Sequence, residues 1–304
     1  MSVSAVISNI ARGSLHDGPG IRTVVYFKGC GLRCRWCHNP ETLSTEKDIL
    51  YAKIKCIHCG RCVDLCPEHH IIQGNDMVFL REGCIHCGRC ADACPSGALS
   101  ESGQQMTLTE VLCEIRKDIH YFRQNGGVTL SGGECLLQAD FARAVLAACR
   151  ADGIHTAIET ALFVPWQQVE KVIPFCDLVY ADCKIPDSHK HREFVGQDNG
   201  LILENLVKLV RSMPGKVIVR IPLIPGVNDA AEDIRAFADV LGPIAGKLQG
   251  IEVLRYNALA KSKYTLAGKA YTDFGQPQTD EVMLRYCADL QNALDNQTTV
   301  FTVL

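Results

Sequence analysis

Three groups of closely spaced cysteines stand in the first third of this chain. The heptapeptide CIHCGRC occurs at residues 56–62 and again, unchanged, at 84–90, and a differently spaced group, CGLRCRWC, lies at 30–37. Thiolates bind soft metals, so spacings this tight read first as ligand sets. Eleven of the 17 cysteines fall between Cys30 and Cys94. The others (Cys113, Cys135, Cys149, Cys176, Cys183 and Cys287) are scattered singly, as small buried hydrophobes are. A disulfide framework does not fit, because such frameworks belong to small secreted domains and a reducing cytosol keeps thiols reduced. The N-terminal MSVSAVISNIARGSLHDG has no basic-then-apolar leader, and nowhere do 18 apolar residues run together. A cytoplasmic chain with no membrane partner is therefore expected.

The two identical groups extend to Cys56, Cys59, Cys62, Cys66, Pro67 and to Cys84, Cys87, Cys90, Cys94, Pro95. Both follow C-x2-C-x2-C-x3-C-P, the bacterial ferredoxin run for a [4Fe–4S] cluster, in which the fourth cysteine ligates the other cluster. That pattern assigns Cys56, Cys59, Cys62 and Cys94 to one cluster, and Cys84, Cys87, Cys90 and Cys66 to the second. A zinc site needs only four ligands and usually pairs a CxxC with a distant CxxC or His pair. His58 and His86 are then loop residues, since each cluster already has four thiolates. Closed in this way, the two clusters carry electrons and do no chemistry on a substrate.

The third group breaks the pattern. Cys30, Cys34 and Cys37 form C-x3-C-x2-C with no fourth cysteine close behind. Three ligands on a cubane leave one iron open, as catalytic metal sites keep an open position. The group directly follows TVVYF at 23–27, which reads as a strand, and barrel enzymes place their chemistry at the C-terminal ends of strands.

The elements that must position these loops follow from periodicity. Beyond residue 105, a helix is predicted at 109–124, then β-rich runs at 128–130, 155–159, 177–182, 216–221 and 250–256. Helical stretches at 138–151, 165–173, 200–212, 229–241 and 279–294 separate or follow them. Alternation of this kind implies βαβ units and a parallel sheet. With TVVYF it gives six units, a partial (β/α)6 TIM-like barrel, and TTVFTV at 298–303 is a candidate closing strand. The expected division is barrel at 1–50, a ferredoxin-like insert at 51–104, and the rest of the barrel at 105–304.

C-x3-C-x2-C after the first strand of a partial barrel resembles the radical SAM superfamily. The likeness narrows: SLHDGPGIRTVVYFKGCGLRCRWCHNPE at 14–41 is similar to the opening signature of glycyl-radical-enzyme activating enzymes, the family of pyruvate formate-lyase activase. It continues through GGVTLSGGE, GIHTAIET, ADCK, RIPLIPG and KSKY, over nearly the whole chain. The ferredoxin-type insert resembles that of the larger activators. The resemblance implies reductive cleavage of S-adenosylmethionine at the open iron, giving a 5′-deoxyadenosyl radical that takes hydrogen from a backbone glycine of a partner glycyl radical enzyme. It implies three [4Fe–4S] clusters, with reduced flavodoxin or ferredoxin as electron donor.

Carried over by position, Trp36, Cys37 and His38 line the adenosine side and Gly133 touches the methionyl group. Gly132 lets the backbone approach the ligand closely, and Glu134 receives the methionyl ammonium. Asp182, Cys183 and Lys184 contact the cofactor, and Arg220 reaches the same pocket. Glu159, Thr160, Tyr180 and Asp182 match positions that bind a monovalent cation in the activase. Asp17, in HDGPG, matches the residue that meets the partner's C-terminal glycine loop. Two departures stand out. Glu159 replaces the Asp of a DTN triplet, and Asn257 occupies a place near the adenosine where the family usually shows the His of PYH. Asn can donate and accept hydrogen bonds but cannot stack or titrate like imidazole.

Composition sets the outer bounds. The 304 residues are 47% hydrophobic and 21% charged, with net charge −3, an ordinary globular balance with no basic footprint for nucleic acid. Two rival readings are a peptide-modifying radical SAM enzyme and a plain electron carrier. Peptide modifiers with extra clusters usually carry them in a cysteine-rich C-terminal extension, whereas residues 184–304 hold only Cys287. A plain carrier would leave the βα units and SGGE idle.

Overall fold

The structure is a computed structural model that describes residues 3–122 and 125–303. In chain order, the first strands are β1 (Ser4–Ser14), β2 (Arg22–Phe27) and β3 (Asp48–Tyr51). A short helix α1 (Arg61–Leu65), strands β4 (His70–Gln73) and β5 (Asp76–Phe79), and α2 (Arg89–Asp92) follow. Next come β6 (Leu99–Ser102), β7 (Gln104–Thr107), α3 (Leu108–Arg116), α4 (Ile119–Phe122), β8 (Gly127–Gly132) and α5 (Ala139–Ala151). The series continues through β9 (His155–Thr160), α6 (Trp166–Val172), β10 (Leu178–Asp182), α7 (Ser188–Val195) and α8 (Gly200–Ser212). It ends with β11 (Val217–Leu223), α9 (Ala231–Ala245), β12 (Gly250–Arg255), α10 (Lys261–Ala267), α11 (Asp280–Ala293) and β13 (Val300–Phe301).

One nine-stranded sheet runs β13-β12-β11-β10-β9-β8-β2-β1-β7. Every pairing from β2 through β8–β12 to β13 is parallel, while β1 is antiparallel to both β2 and β7. The six expected βα units are therefore present in sequence order, and the tail strand adds two residues beside β12. The antiparallel flank of β1 and β7 is additional. The helix expected at 109–124 is divided: α3 ends at Arg116 and α4 starts at Ile119. Buried Asp118 between them accepts from Arg12 Nε and Thr23 Oγ1, so the break is tied to β1 and β2. The last two residues of the expected helix, 123 and 124, lie outside the described residues.

The two faces of the sheet differ because side chains alternate. Val128, Leu130, Ile158, Val179, Val219 and Ile221 turn toward the helices, where they are fully buried with Val145, Leu146, Leu209, Phe237 and Leu290. Each such aliphatic side chain contributes about 1.5–3 kcal/mol by leaving water. On the opposite parity, Ala157, Leu178, Tyr180 and Ile218 make a small apolar cluster. Further along the same strands that parity carries Ser131, Glu159, Asp182, Arg220 and Glu252. One face is thus core, and the other grades from apolar to charged toward the C-terminal strand ends.

The ferredoxin-like segment carries two ribbons, β3 with β6 and β4 with β5. Its apolar cluster is small: Ile49, Met77, Cys90 and Leu99, with Cys56, Cys62 and Cys94 packed against it. Its sheet starts at Asp48, slightly before the boundary expected at 51, and β7 from Gln104 already belongs to the large sheet. Among the described residues no helix is long and apolar enough to cross a membrane.

Candidate active site

A cavity of about 500 Å³ opens at the C-terminal ends of β8–β12, and Cys30, Cys34 and Cys37 line it together. The loop that bears them is anchored on both sides. Gly29 N donates to Thr42 O (2.7 Å) and Cys30 N to Leu43 O (3.3 Å), while Arg33 N and Arg35 N donate to Val195 O and Phe194 O at the end of α7. Three ammonium groups hold the return segment: Lys28 Nζ on Glu41 O (2.6 Å), Lys269 Nζ on Pro40 O (2.5 Å) and Lys263 Nζ on Asn39 Oδ1 (2.6 Å). Lys28 is fully buried at the end of β2, and burial holds its pKa below the ordinary lysine value.

Burial pushes the Cys30 thiol up to about 11 and Cys34 up to about 12, and raises Cys37 as well. Thiols in such a setting stay protonated in water's absence and yield their protons to a metal, which takes the thiolate. The adjacent Lys184 is largely buried, yet Asp182, and then Cys34 and Cys30 when they are thiolates, outweigh that burial and keep its ammonium charged. A positive group beside three thiolates suits a ligand set for an iron–sulfur cluster.

The SGGE turn lies directly against this loop. Gly133 N donates to Phe27 O and Glu134 N to Gly29 O. A Cβ on Gly133 would lie 2.2 Å from Gly29 O, and Gly132 has φ +115, so glycine at both places is what allows β8 to end against the cysteine loop. Glu134, expected to receive an ammonium, points away from the cavity lining. Its carboxylate is 2% exposed and does not line the cavity. It accepts from Leu136 N, from Thr160 Oγ1 and from Ala161 N (2.9 Å), tying the end of β9 to the turn. Burial nevertheless lifts its pKa to about 7.

Cys183, expected to contact the cofactor, also lies off the cavity lining. It has the parity of Ala181, turns into the helix-side core and is 1% exposed, so its thiol faces away from the cavity. Its neighbours Asp182 and Lys184 do line the cavity and pair with each other, Nζ to Oδ2 at 2.6 Å.

Behind them is a buried ion network. Arg220 Nε donates to Glu252 Oε2 (2.7 Å), Nη1 to Glu159 Oε1, and Nη2 to His16 O (3.0 Å). Its Cζ lies 3.7 Å from the centroid of the Tyr180 ring. Burial works against the charge, but Glu159 and Glu252 outweigh it and hold the guanidinium above its ordinary pKa. Strand register makes the network: Glu159 is opposite Tyr180, and Arg220 is opposite both Asp182 and Glu252. Glu252 and Ser131, which donates to Glu159 Oε2 at 2.5 Å, were not anticipated from the sequence. A charged or hydroxyl residue at the same depth of successive strands was the available signal.

Trp36 lines the cavity with one edge packed on Phe274, centroids 6.0 Å apart. His38 lines it too, its pKa lowered by burial and by Lys263. Asn257 faces the cavity, and its Oδ1 accepts from Leu259 N (2.9 Å), capping the turn Ala258–Ala260. That local bond is something a histidine at this position would not supply in the same way. Asp17 lines the cavity from the β1–β2 turn. Ser14 Oγ donates to its carboxylate, and Asp17 O accepts from Thr129 Oγ1 (2.6 Å), so the HDGPG loop is tied to β8.

In the insert the two repeats share one backbone: His58 and His86 have φ 55 and 51, and Gly60 and Gly88 have φ 74 and 83. Cys56, Cys59 and Cys62 surround a small chamber together with Cys94, the distant fourth cysteine expected there. In the second copy burial and then Cys84 push the Cys90 thiol up to about 11. Cys87, and more weakly Cys66, raise the Arg89 guanidinium. His86 Nδ1 is 2.6 Å from Lys47 O, a loop contact.

Comparison with known proteins agrees with this arrangement. The radical SAM superfamily profile matches residues 77–239, a 4Fe-4S dicluster domain matches 55–98 and a 4Fe-4S single cluster domain matches 16–63. The (2S)-3-sulfopropanediol dehydratase activating enzyme of Klebsiella oxytoca is 41% identical over 89% of this chain and 87% of its own length. The choline trimethylamine-lyase activating enzyme of Oleidesulfovibrio alaskensis is also 41% identical, over 92% of each chain. Among solved structures, Streptococcus suis SuiB bound to precursor peptide SuiA superposes over 92% of this chain and 48% of that one, with TM-score 0.50 and 14% identity, a likeness of fold. The chain belongs to the radical SAM superfamily and, within it, to the activating enzymes of glycyl radical enzymes.

Proposed function

We propose that this chain binds S-adenosylmethionine in the 500 Å³ cavity and takes a hydrogen atom from a backbone glycine Cα of a partner glycyl radical enzyme. The observation that carries the reading is the convergence of Cys30, Cys34 and Cys37, one ligand short of a set, on the same cavity as the SGGE turn and the Asp182–Lys184 pair. Cys30, Cys34 and Cys37 would hold a [4Fe–4S] cluster, which would supply the single electron for reductive cleavage of the bound sulfonium. The protein's own part is placement. Gly133 admits the methionyl end close to the backbone, and Trp36, His38 and Asn257 wall the adenosine side. Asp182, Lys184 and Thr160 offer charge and hydrogen bonds from the strand ends, with Arg220 and Glu159 behind them. Asp17, on the β1–β2 turn, meets the glycine loop.

The eight insert cysteines hold two further clusters in the crossed sets given above, for three in all. Electrons come from reduced flavodoxin or ferredoxin. A monovalent cation at Glu159, Thr160, Tyr180 and Asp182 would have to share Glu159 with Arg220 and Asp182 with Lys184, so the charge there is already balanced by the chain. Relatives at equal identity are named for a dehydratase and a lyase, so the partner's own chemistry is not set by overall likeness. The test incubates reduced, reconstituted protein and S-adenosylmethionine with glycyl radical enzymes of both kinds. A glycyl doublet by electron paramagnetic resonance, with one 5′-deoxyadenosine per radical, is expected. Deoxyadenosine release with no glycyl signal on any of them would overturn the reading.

A further inference from the structure

The two insert sites are not equivalent with respect to the catalytic cavity, and the β3–β6 ribbon shows how. Asp48 is opposite Ser102 and Tyr51 opposite Leu99. The Asp48–Ser102 end stands on the large sheet, where Ser102 Oγ is 2.9 Å from Ser8 Oγ of β1. The Tyr51–Leu99 end points away and is prolonged by Ala52 N donating to Ala98 O (2.7 Å). From Lys47 to Ala52 an extended strand covers on the order of 15 Å.

The second cysteine loop grips the near end. His86 Nδ1 meets Lys47 O (2.6 Å), Gly88 abuts Glu101 with no room for a Cβ, and Glu101 pairs with Lys47 at 3.6 Å. Lys47 and the buried Lys28 both press on Gly103, and Lys28 leads directly into Gly29 and Cys30. Arg81, whose carbonyl accepts from Cys84 N, crosses to the C-terminal part of the barrel. Its Nη2 donates to Leu266 O of α10 (2.7 Å) and its Nη1 to Ile49 O (2.6 Å). The first loop occupies the far end: its chamber is walled by Met77, Ser96, Ala98 and Leu99. Ile54 beside it is 97% exposed; Ile85 in the second loop is 82% exposed, so exposure alone does not order the sites and the ribbon does.

We propose that the two insert sites act in series. In that order the Cys84, Cys87, Cys90 and Cys66 site stands next to the catalytic loop, and the Cys56, Cys59, Cys62 and Cys94 site is the outer one, which receives electrons. His86 and Arg81 are positioning residues for the inner site. This rests on the ligand sets proposed above. Per turnover a reduced one-electron carrier protein loses one electron and the sulfonium gains it, so the insert itself is unchanged at the end.

The test uses reconstituted full-length protein, reduced with dithionite in the presence of S-adenosylmethionine. Fast spin relaxation of the Cys30 site signal, caused by a paramagnetic neighbour, is expected to be lost in the Cys84→Ala/Cys87→Ala variant and kept in Cys56→Ala/Cys59→Ala. The reverse pattern overturns the order. Iron that fails to drop by about four atoms in either double variant would instead sink the ligand sets. Two single variants leave every ligand in place, His86→Ala and Arg81→Met. Both are expected to keep wild-type iron content and dithionite end point, while carrier-driven reduction of the Cys30 site, followed by rapid mixing, slows severalfold. Wild-type rates in both would also overturn the proposal.

Discussion

Replacing Cys30 with alanine is expected to abolish reductive cleavage of S-adenosylmethionine while leaving about eight of about twelve iron atoms per chain. The two halves of that result have separate causes. Cys30 is one of three thiols lining the cavity that are proposed as ligands, and with two remaining thiols a cubane there would lose a second corner to solvent. The insert has its own ligands, on its own ribbons with its own apolar cluster, and none of its cysteines comes from the catalytic loop. The loop's scaffold should survive, because Gly29, Cys30, Arg33 and Arg35 hold it by backbone bonds that alanine keeps. Anaerobic iron analysis and chromatography of 5′-deoxyadenosine check both halves. Cleavage retained in the variant would place the chemistry elsewhere.

Arg220→Met is the second large effect, in stability as well as activity. The guanidinium is buried between Glu159 and Glu252 and also holds His16 O of the β1–β2 turn. Removing one partner of a buried ion set strands the others, at a cost of about 3–5 kcal/mol. The sign with pH follows from burial. Burial already raises Glu159, and Arg220 opposes that rise, so without Arg220 it rises further and the variant loses more stability as pH rises, recovering part of it as Glu159 protonates in acid. Thermal denaturation of wild type and variant across pH 6 to 8 reads this out. Arg220→Lys keeps the charge but not the fork that spans two carboxylates and a carbonyl, so rescue should be partial. A variant as stable as wild type at every pH would contradict the role given to this network.

Much of this was legible beforehand because two strong periodicities coincide. The buried parallel strands read as short apolar runs, and α5, α8, α9 and α11 as amphipathic stretches, since each has a helix or sheet face to cover. The elements that escaped are those whose burial is slight. β1, between β2 and β7, buries only Ala5 and Ile7, and α7, SHKHREFV, buries only His191 and Val195. Its start is fixed locally instead, by Asp187 accepting from Lys190 N (2.7 Å).

That Cys30, Cys34 and Cys37 converge on one cavity was legible from their spacing, whereas side-chain direction there was not. Cys183 and Asp182 are adjacent in the sequence, and strand parity sends one into the core and the other into the cavity. Glu134 ends β8 just where a ligand-facing carboxylate was expected, but two backbone amides and Thr160 draw it inward. Asn257 shows the complementary case, a departure from the family pattern with a local cause, since it caps its own turn.

The central claim is that the missing fourth cysteine leaves an iron at the Cys30, Cys34 and Cys37 site free to bind S-adenosylmethionine. Electron–nuclear double resonance of the reduced protein, with cofactor isotopically labelled at the carboxylate oxygen and amino nitrogen, tests it directly. Hyperfine coupling from both labels to the Cys30 site is expected in the wild type and absent in Cys30→Ala. Cofactor cleavage by a wild-type protein showing neither coupling would contradict the open-iron assignment.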